Sequence, residues 1–415
     1  MKIAIIAIGD ELLIGQVVDT NSGSIARMID PAGWSVEYVK VIHDDADAIT
    51  AAVDEAFAVA DVVLTTGGLG PTKDDITKLT LCKYFGGELR HDPTVLDNIK
   101  EVFAKRGIQL NPLTEAQAMV PTSCRVIQNR VGTAPIMWFE RTDGKVLVSM
   151  PGVPFETLQM FRAEVFPQLL DKFHSDEHIG HRCVIVEGLT ESKVAIQLDA
   201  WEDALPPFIH LAYLPKPGII RLRIDGHHTD DDLLQSTLDQ LHAQLCDIFA
   251  DHLLADADLT PEESMLQRLR AKGYSVATAE SCTGGNIAHR ITAIAGCSDC
   301  YHGSVVAYEN SVKINILGVD PAAIEAHGVV SEEVVAQMAQ GIRKAIGSDC
   351  AIATSGIAGP GGATLGKPVG TVCIAIATPE RTVAATYHFP GTRDRVIDRT
   401  TNNVLCRLIK MLRDF

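Results

Sequence analysis

Apolar runs alternate with helical segments along the chain, and several of these runs end in glycine. The first three runs are KIAIIAIG, WSVEYVKVI and DVVLTTGG, and the helical patterns NSGSIARMID and DADAITAAVDEAFAVA separate them. Such alternation predicts a parallel, doubly wound sheet with right-handed crossovers. The chain is 46% hydrophobic but only 5% aromatic, which fits strands of Ala, Val, Ile and Leu buried on both faces. The expected fold class is therefore α/β.

The 415 residues are too many for one ordinary domain, and changes of pattern predict three segments. Residues 1–170 form the first α/β domain, which ends after the strand KVLVSMPG. Residues 171–255 form a small split α/β module of the order β-α-β-β-α, without a glycine-rich loop. Residues 256–415 form a second α/β domain with a largely parallel sheet. Its first helix is expected to begin with Thr260 as the N-cap and Pro261 at the first position.

The net charge of −17 is shared unevenly. Residues 261–415 hold 15 Lys and Arg against 14 Asp and Glu, so residues 1–260 carry all of the excess negative charge. An acidic chain argues against nucleic acid as a main partner. No apolar run reaches the length of a membrane span, and the N-terminus lacks the pattern of a signal peptide. We therefore expect a cytoplasmic protein that does not bind membranes.

The ten cysteines lack paired spacing, as is usual in a reducing compartment. Cys297 and Cys300 form the one CxxC pair. A zinc site would need a second pair or histidines at ligand spacing, and the sequence offers neither. A metal or redox role is therefore not expected for this pair.

Three predicted loops of residues 1–170 begin where a strand ends: GDELLIGQVVDTN, TTGGLGPTKDDIT and MPGVPFE. Ligands of open parallel sheets bind beyond the carboxyl ends of the strands, so these loops are expected to face one crevice. Glycines let backbone amides approach an anion, and nearby carboxylates can hold a divalent cation. The alternative is a plain turn whose aspartates only cap a helix. The predicted anion-binding residues are Gly67, Gly68, Gly70 and Thr72, and the predicted metal ligands are Asp74, Asp75 and Glu156.

These three stretches resemble the molybdopterin-binding fold as it occurs in the CinA (competence/damage-inducible) family. The resemblance implies hydrolysis of ADP-ribose to AMP and ribose 5-phosphate with a divalent metal, Mg²⁺ or Co²⁺. It makes Asp75 the first candidate for handling metal or water, followed by Asp74 and Asp10. Because molybdopterin relatives use the same fold for other chemistry, a molybdopterin-handling domain is an alternative.

The stretch ATAESCTGG places a serine and a cysteine side by side ahead of two glycines. The pattern indicates a strand that runs into a helix, so the neighbouring N–H groups are expected to point toward a developing oxyanion. Ser281 or Cys282 could be a nucleophile. Alternatively, the glycines could simply hold a phosphate.

Residues 261–415 resemble the nicotinamide mononucleotide deamidase domain of the same family. The resemblance rests on TAESCTGG, VAYENSVKINILGV, HGVVSEEV, SGIAGPGG, KPVGTV and FPGTRD, in that order. It implies a Ser/Lys amidohydrolase that works without a cofactor and converts nicotinamide mononucleotide and water to nicotinate mononucleotide and ammonia. Ser281 is then the nucleophile and Lys313 the base, which sets Cys282 aside. His327 is expected to be structural.

A lysine base must have a pKa well below its usual value of about 10.4. A dry pocket, or a nearby cation such as Lys367 or Arg393, could lower it. Tyr308 is expected to position Lys313 or to relay a proton, and Asn310 to bind substrate or orient Lys313. Arg393 is the predicted phosphate anchor, because its guanidinium fork matches phosphate oxygens. The other predicted substrate-binding residues are Thr283, Gly284, Gly285, Ser355, Gly356, Gly359, Gly361, Gly362 and Lys367.

The leading hypothesis is a bifunctional enzyme of pyridine-nucleotide recycling whose partners are small nucleotides. A homodimer is expected from the family resemblance alone. The rival hypothesis from another class is a non-catalytic, nucleotide-binding or competence-associated scaffold. Turnover of nicotinamide mononucleotide or ADP-ribose separates the two hypotheses.

Overall fold

The computed structural model describes residues 1–72, 75–173 and 177–413. These residues divide into two compact units. The first unit comprises Met1–Gly180 and His227–Leu234, and the second comprises His181–Gly226 and Gln235–Phe415. Within the described residues, none of the helices is long and apolar enough to cross a membrane.

A six-stranded sheet forms the centre of the first unit. The strands described in this part are β1 (Lys2–Ile8), β2 (Ser35–Ile42), β3 (Val62–Thr66), β4 (Leu89–His91), β5 (Met119–Pro121), β6 (Arg125–Ile127), β7 (Ile136–Glu140) and β8 (Val146–Met150). The sheet order is β2-β1-β3-β8-β7-β6, and β4 and β5 form a separate pair. The first four strands are parallel, whereas β7 and β6 are antiparallel to their neighbours.

Helices cover both faces of this sheet. Their bounds are α1 (Asp10–Leu13), α2 (Asn21–Ile29), α3 (Ala46–Val59), α4 (Thr77–Tyr84), α5 (Pro93–Arg106), α6 (Pro112–Glu115), α7 (Pro154–Met160) and α8 (Phe166–Lys172), with a π-helical turn at Phe161–Val165 and 3-10 turns at Asp30–Ala32 and Ala116–Ala118. Ile3 and Ile5 of β1 belong to one core cluster, and Ala4 and Ile6 to another. Because adjacent strand residues point to opposite faces, a strand covered on both faces must be apolar throughout.

A small four-stranded sheet follows. Its elements are β9 (His178–Glu187), α9 (Glu191–Glu202), β10 (Ile209–Lys216), β11 (Ile219–His228), α10 (Asp231–Ile248) and β12 (Leu253–Ala255). The strand order is β10-β11-β9-β12. The elements therefore run in the order β-α-β-β-α-β, and the short last strand, β12, is one that the sequence analysis did not predict.

The remaining residues build a five-stranded sheet of the order β14-β13-β15-β16-β17. Its elements are α11 (Pro261–Lys272), β13 (Val276–Glu280), α12 (Asn286–Thr292), β14 (Tyr301–Val306), α13 (Asn310–Asn315), α14 (Pro321–His327), α15 (Glu332–Ile346), β15 (Cys350–Gly356), β16 (Thr371–Ala377), β17 (Thr382–His388) and α16 (Arg393–Arg413), with a 3-10 turn at Cys297–Asp299. Strands β14, β13 and β15 are parallel, and β16 and β17 are antiparallel. The predicted α/β class is confirmed, with antiparallel strands at one edge of each α/β sheet.

The boundary before α11 has the predicted local structure. The Thr260 hydroxyl accepts a hydrogen bond from the Glu263 amide, and the Glu263 carboxylate accepts one from the Thr260 amide. This reciprocal arrangement is a capping box, and Pro261 occupies the first turn of the helix. All ten cysteines, Cys297 and Cys300 included, are free thiols.

A fully buried carboxylate, that of Glu280, connects the end of β13 to the start of α12. Its oxygens accept hydrogen bonds from the amides of Gly285, Ile287 and Ala288 at 2.8–3.0 Å and from the Thr283 hydroxyl at 2.7 Å. The first amides of a helix have no partner within the helix, and the helix dipole favours negative charge there. Glu280 therefore satisfies the N-terminus of α12 from inside the protein.

Two glycines make this connection possible. Gly284 and Gly285 have φ angles of +61° and +97°, a region that side-chain-bearing residues rarely adopt. The two residues turn the chain sharply after β13, so that α12 begins above the Glu280 side chain. The Thr283 hydroxyl also lies 2.8 Å from the Thr354 hydroxyl of β15, which ties the turn to the neighbouring strand.

We expect Glu280→Gln to lower the free energy of unfolding by about 2–4 kcal/mol, because an amide NH₂ would face helix amides that need an acceptor. Urea denaturation followed by circular dichroism measures the change. Glu325→Gln, which removes an exposed carboxylate of α14, is the matched control and should have little effect. Equal stabilities of the two variants would contradict the assigned role of Glu280.

Candidate functional site

The candidate nucleophile, Ser281, lies where three strand ends meet. Its amide donates to the Thr354 carbonyl of β15 at 3.0 Å, and the preceding carbonyl, of Glu280, accepts from the Ala307 amide at 2.8 Å. Ser281 is half-buried, and its hydroxyl has no hydrogen-bond partner within the described part of the chain. The hydroxyl group is therefore available for chemistry at the carboxyl edge of the sheet.

Lys313, the candidate base, is a buried lysine of α13 that is only 2% exposed. Its Nζ donates to the carbonyl oxygens of Ala307 at 2.7 Å and Tyr308 at 3.1 Å. Burial lowers the pKa of Lys313, while the negative charge of Glu309 acts in the opposite direction. Burial is therefore the main cause of the lowered pKa.

The Ala307 residue links these two groups. Its amide binds the carbonyl of Glu280, which directly precedes Ser281, and its carbonyl accepts from Lys313. The amine and the serine therefore lie on adjacent strand ends, although 32 residues separate them in the sequence. The predicted pairing of Ser281 with Lys313 is compatible with this geometry.

Cys282 differs from Ser281 in its surroundings. It is buried, and burial raises the pKa of its thiol to about 12. The nucleophilic form of cysteine is the thiolate, which is scarcely populated at neutral pH when the pKa is so high. Cys282 therefore belongs to the hydrophobic core beneath the site.

The turn after Ser281 has a different function from the one expected. The Gly285 amide and the amides at the start of α12 donate to Glu280. Thr283 is 3% exposed, and its hydroxyl is bound to Glu280. We predicted that the N–H groups next to Ser281 point toward an oxyanion. This prediction is wrong for the amides of Ser281, Gly285 and the start of α12, because each already donates to an acceptor within the protein.

Arg393, the first residue of α16, brings two other parts of the candidate site together. Its guanidinium donates to the Gly359 carbonyl at 2.9 Å and to the Tyr308 hydroxyl at 3.2 Å. Tyr308 is 60% exposed, and its carbonyl accepts from Lys313. Asn310 is exposed at the start of α13. A chain of contacts thus runs from Lys313 through Tyr308 to Arg393 and the loop after β15.

That loop is held by side chains that the sequence analysis assigned to substrate. The Ser355 hydroxyl is buried and donates to the Val329 carbonyl at 2.7 Å. Lys367 donates to the carbonyls of His327 at 3.0 Å and Val330 at 2.7 Å. Both side chains therefore fix the 327–330 turn. Of the loop glycines, Gly356 is half-buried and Gly359 buried, while Gly361 and Gly362 are exposed.

Glu280 and Thr354 are the residues at this site that the sequence analysis missed. Both are fully buried polar residues at strand ends. The stretch ESCTGG, in which Glu280 precedes Ser281 and two glycines follow, was the sequence signal for Glu280. The sequence could not show that its carboxylate turns inward to the helix start.

In the first unit, the three predicted strand-end loops do approach one another. The Gly67 amide donates to the Met150 carbonyl at 3.1 Å, which joins the ends of β3 and β8. A Cβ atom on Gly67, whose φ is +106°, would lie 2.0 Å from the Ile8 carbonyl oxygen of β1. Only glycine permits this close packing of the three strand ends.

The carboxylates predicted to bind metal serve other partners. Asp75 accepts from the amides of Gly70 at 2.7 Å and Thr72 at 2.9 Å and also from the Thr72 hydroxyl. Asp10 lies 2.7 Å from His43. Asp10 and Asp75 therefore have different partners.

Glu156 accepts from Asn129 at 3.1 Å. No group of three or more His, Cys, Asp or Glu in the described ranges could hold a metal ion. Asp10, Asp75 and Glu156 are not part of such a group, and Asp74 lies outside the described residues. The metal site therefore stays a prediction.

Gly68 and Lys78 complete this region. A Cβ atom on Gly68 would meet the Thr77 hydroxyl, so the loop packs directly on the start of α4. Lys78 donates to the carbonyls of Gln117 at 3.1 Å and Met119 at 2.9 Å, and burial lowers its pKa to about 8. The negative charge of Asp75 acts in the opposite direction and raises the pKa of Lys78, so the two charged groups interact.

Comparisons with known proteins bear on both halves of the chain. The family described as "CinA C-terminal domain" matches residues 258–412, and the family described as "Probable molybdopterin binding domain" matches residues 4–171. A "CinA-like protein" of Flavobacterium psychrophilum is 40% identical over 414 residues, which is 99% of this chain and 98% of that protein. One from Salinibacter ruber is 39% identical over 409 residues, 98% and 96% of the two chains.

Among solved structures, the protein CinA with unknown function from Thermoplasma acidophilum is 37% identical. The match covers 40% of this chain and 96% of that chain, with a TM-score of 0.37. The relatives from Flavobacterium and Salinibacter match this chain over nearly their full length. On that full-length similarity, the chain belongs to the CinA family.

Proposed function

We propose that the second unit hydrolyses nicotinamide mononucleotide to nicotinate mononucleotide and ammonia. One observation carries the proposal: a buried lysine amine binds the two carbonyls that follow β14, and a half-buried serine directly follows the neighbouring strand β13. A serine next to a lysine of lowered pKa is a known arrangement for nucleophilic catalysis. The family resemblance of the surrounding motifs supplies the substrate.

The reaction proceeds in two steps. In the first, the Ser281 hydroxyl oxygen attacks the carboxamide carbon while the neutral Lys313 amine takes the hydroxyl proton. The protonated lysine then gives that proton to the departing nitrogen, which leaves as ammonia, and an ester of Ser281 remains. In the second step, Lys313 deprotonates a water molecule that attacks the ester. The nicotinate carboxyl group leaves, and Ser281 recovers its proton.

The remaining groups bind the charged parts of the substrate. The amides of Cys282 and Thr283, which Glu280 does not take, are the candidate donors to the oxyanion. Arg393 is the candidate phosphate anchor, since its fork can hold phosphate oxygens bidentately. Its contacts with Tyr308 and Gly359 orient the guanidinium at the exposed mouth of the crevice.

For the first unit, we propose hydrolysis of the pyrophosphate bond of ADP-ribose, which yields AMP and ribose 5-phosphate. The convergence of the loops after β1, β3 and β8, tightened at Gly67, supports an anion site at this edge. Asp75 binds the backbone amides of Gly70 and Thr72 and so fixes these two residues after β3. A molybdopterin-handling domain, or a scaffold that binds nucleotide without turnover, is the alternative outcome.

We expect Ser281→Ala to reduce the rate of ammonia release about 10³-fold or more, because no other hydroxyl takes the nucleophile's place. Cys282→Ala is the matched control, since its thiol is protonated and should not take part. Ammonia release is measured with nicotinamide mononucleotide as substrate. Activity in the Ser281→Ala variant, or loss of activity in the Cys282→Ala variant alone, would contradict the serine mechanism.

A base must be neutral to accept a proton, and a lowered pKa increases the neutral fraction of Lys313 at any given pH. The value of kcat/KM should therefore rise with pH and level off above the pKa of Lys313, with a midpoint below about 10.4. Lys313→Arg should be inactive across this range, because guanidinium stays protonated. The exposed Lys344→Arg serves as the control, and activity in Lys313→Arg would exclude Lys313 as the base.

We expect Asp75→Ala to reduce AMP formation from ADP-ribose about tenfold or more, because Gly70 and Thr72 lose their three charge-assisted hydrogen bonds to the carboxylate. Asp97→Ala removes an exposed carboxylate of α5 and is the control. The assay is run with Mg²⁺, with Co²⁺ and with a chelator, which tests the metal requirement separately. Unchanged turnover in Asp75→Ala would remove Asp75 from the mechanism.

A further inference from the structure

A cavity of about 760 Å³ lies in the second unit between helix α16 and the strands β16 and β17. The residues that line it include none of the candidate site residues around Ser281 and Lys313. Gly188 and Gly218, in turns of the four-stranded module, close one side. The cavity is within the size range of small-molecule sites. It is therefore a separate feature that neither proposed activity uses.

The sheet forms an apolar and aromatic wall. Val383, Ala385 and Tyr387 of β17 and the following Phe389 are alternate residues, so they face the same side. The Tyr387 and Phe389 rings are nearly parallel, with centroids 5.8 Å apart and an interplanar angle of 13°. This wall gives a ligand an apolar and aromatic surface to pack against.

The opposite wall, from helix α16, is basic. Arg399, Arg407 and Lys410 lie at helical spacing on the face toward the cavity, and Arg381 lines it from the turn before β17. The Arg407 guanidinium stacks over the Tyr387 ring, 4.5 Å from its centroid. Glu187, which is paired with Lys410, is the one acid in the lining. In a chain of net charge −17, this cavity thus carries a local positive excess.

Two lining residues also hold unused hydrogen-bonding capacity. The Tyr387 hydroxyl oxygen and the Asn403 side-chain oxygen are buried, and neither has a hydrogen-bond partner among the residues that the structure describes. Buried polar atoms are usually satisfied, so a pair of such atoms beside one cavity calls for an explanation. A ligand that drew the two side chains toward the cavity would pair with these oxygens through hydrogen-bond donors of its own.

We propose that this cavity binds a mononucleotide, in which a flat ring packs on the aromatic wall and the phosphate binds the arginines of α16. Arginine forks match phosphate oxygens, and aromatic side chains provide stacking surfaces for bases. A saturated fatty acid would use the apolar wall but neither the stacked rings nor the hydrogen-bonding oxygens. The proposal is independent of the two hydrolytic activities, since it rests on residues outside both candidate sites.

Isothermal titration calorimetry of the full chain with AMP tests the proposal. We expect saturable binding, and we expect the double variant Arg399→Gln/Arg407→Gln to weaken it at least about tenfold through the loss of charge-assisted hydrogen bonds. Ala385→Phe, which fills the cavity without changing its charge, should weaken binding to a similar extent. Arg395→Gln removes an exposed arginine of the same helix outside the lining and should leave the Kd unchanged.

Two further variants distinguish this cavity from the proposed catalytic sites. Arg393→Gln and Asp75→Ala should not alter AMP binding to the cavity. If these two variants weaken binding and the cavity variants do not, AMP binds elsewhere and the proposal is overturned. Absence of saturable binding, or displacement of AMP by laurate at a lower concentration than by a second nucleotide, would also overturn it. Thermal melting verifies that each variant is folded, and Ala385→Phe provides the test if the charge variants are not.

Discussion

The buried carboxylate of Glu280 determines how the second α/β sheet presents its catalytic candidates. It accepts hydrogen bonds from the first amides of α12, and these bonds fix the course of the chain between β13 and α12. Ser281 lies at the first position of that path, between the ends of β14 and β15. Helix N-termini at strand ends commonly bind phosphate, but here a protein anion already occupies that position. An anion bound at this edge of the sheet would need its counter-charge from another group, and the exposed Arg393 is the candidate described above.

The alternation of apolar and helical patterns was enough to predict the α/β class, and the Thr260-Pro261 pair was enough to predict the capped start of α11. The antiparallel edges were harder to predict. Strands β7 and β8, and likewise β16 and β17, follow one another through short turns, and such turns permit only an antiparallel pair. Each strand by itself has the same apolar composition as a parallel one. The length of the connection, rather than the residue pattern of the strand, therefore indicates that the pair is antiparallel.

The candidate site shows a similar division. Motif resemblance selected Ser281, Lys313, Tyr308 and Arg393, and hydrogen bonds connect the last three of these residues. Residue type alone did not reveal which polar groups are already satisfied inside the protein. Ser355, Lys367 and Thr283 each bind protein acceptors. Asp10, Asp75 and Glu156 of the first unit likewise bind separate protein partners.

The two carbonyls that hold Lys313 have a consequence for the direction of proton transfer. An ammonium group carries three hydrogens, and Ala307 and Tyr308 take two of them. When the group loses its third proton, the neutral amine can keep both hydrogen bonds, and its lone pair then occupies the one direction that remains. A lysine side chain in water rotates through many orientations before it meets a proton donor. Here the rotation is already restricted in the folded chain, so the amine behaves as an acceptor of fixed orientation.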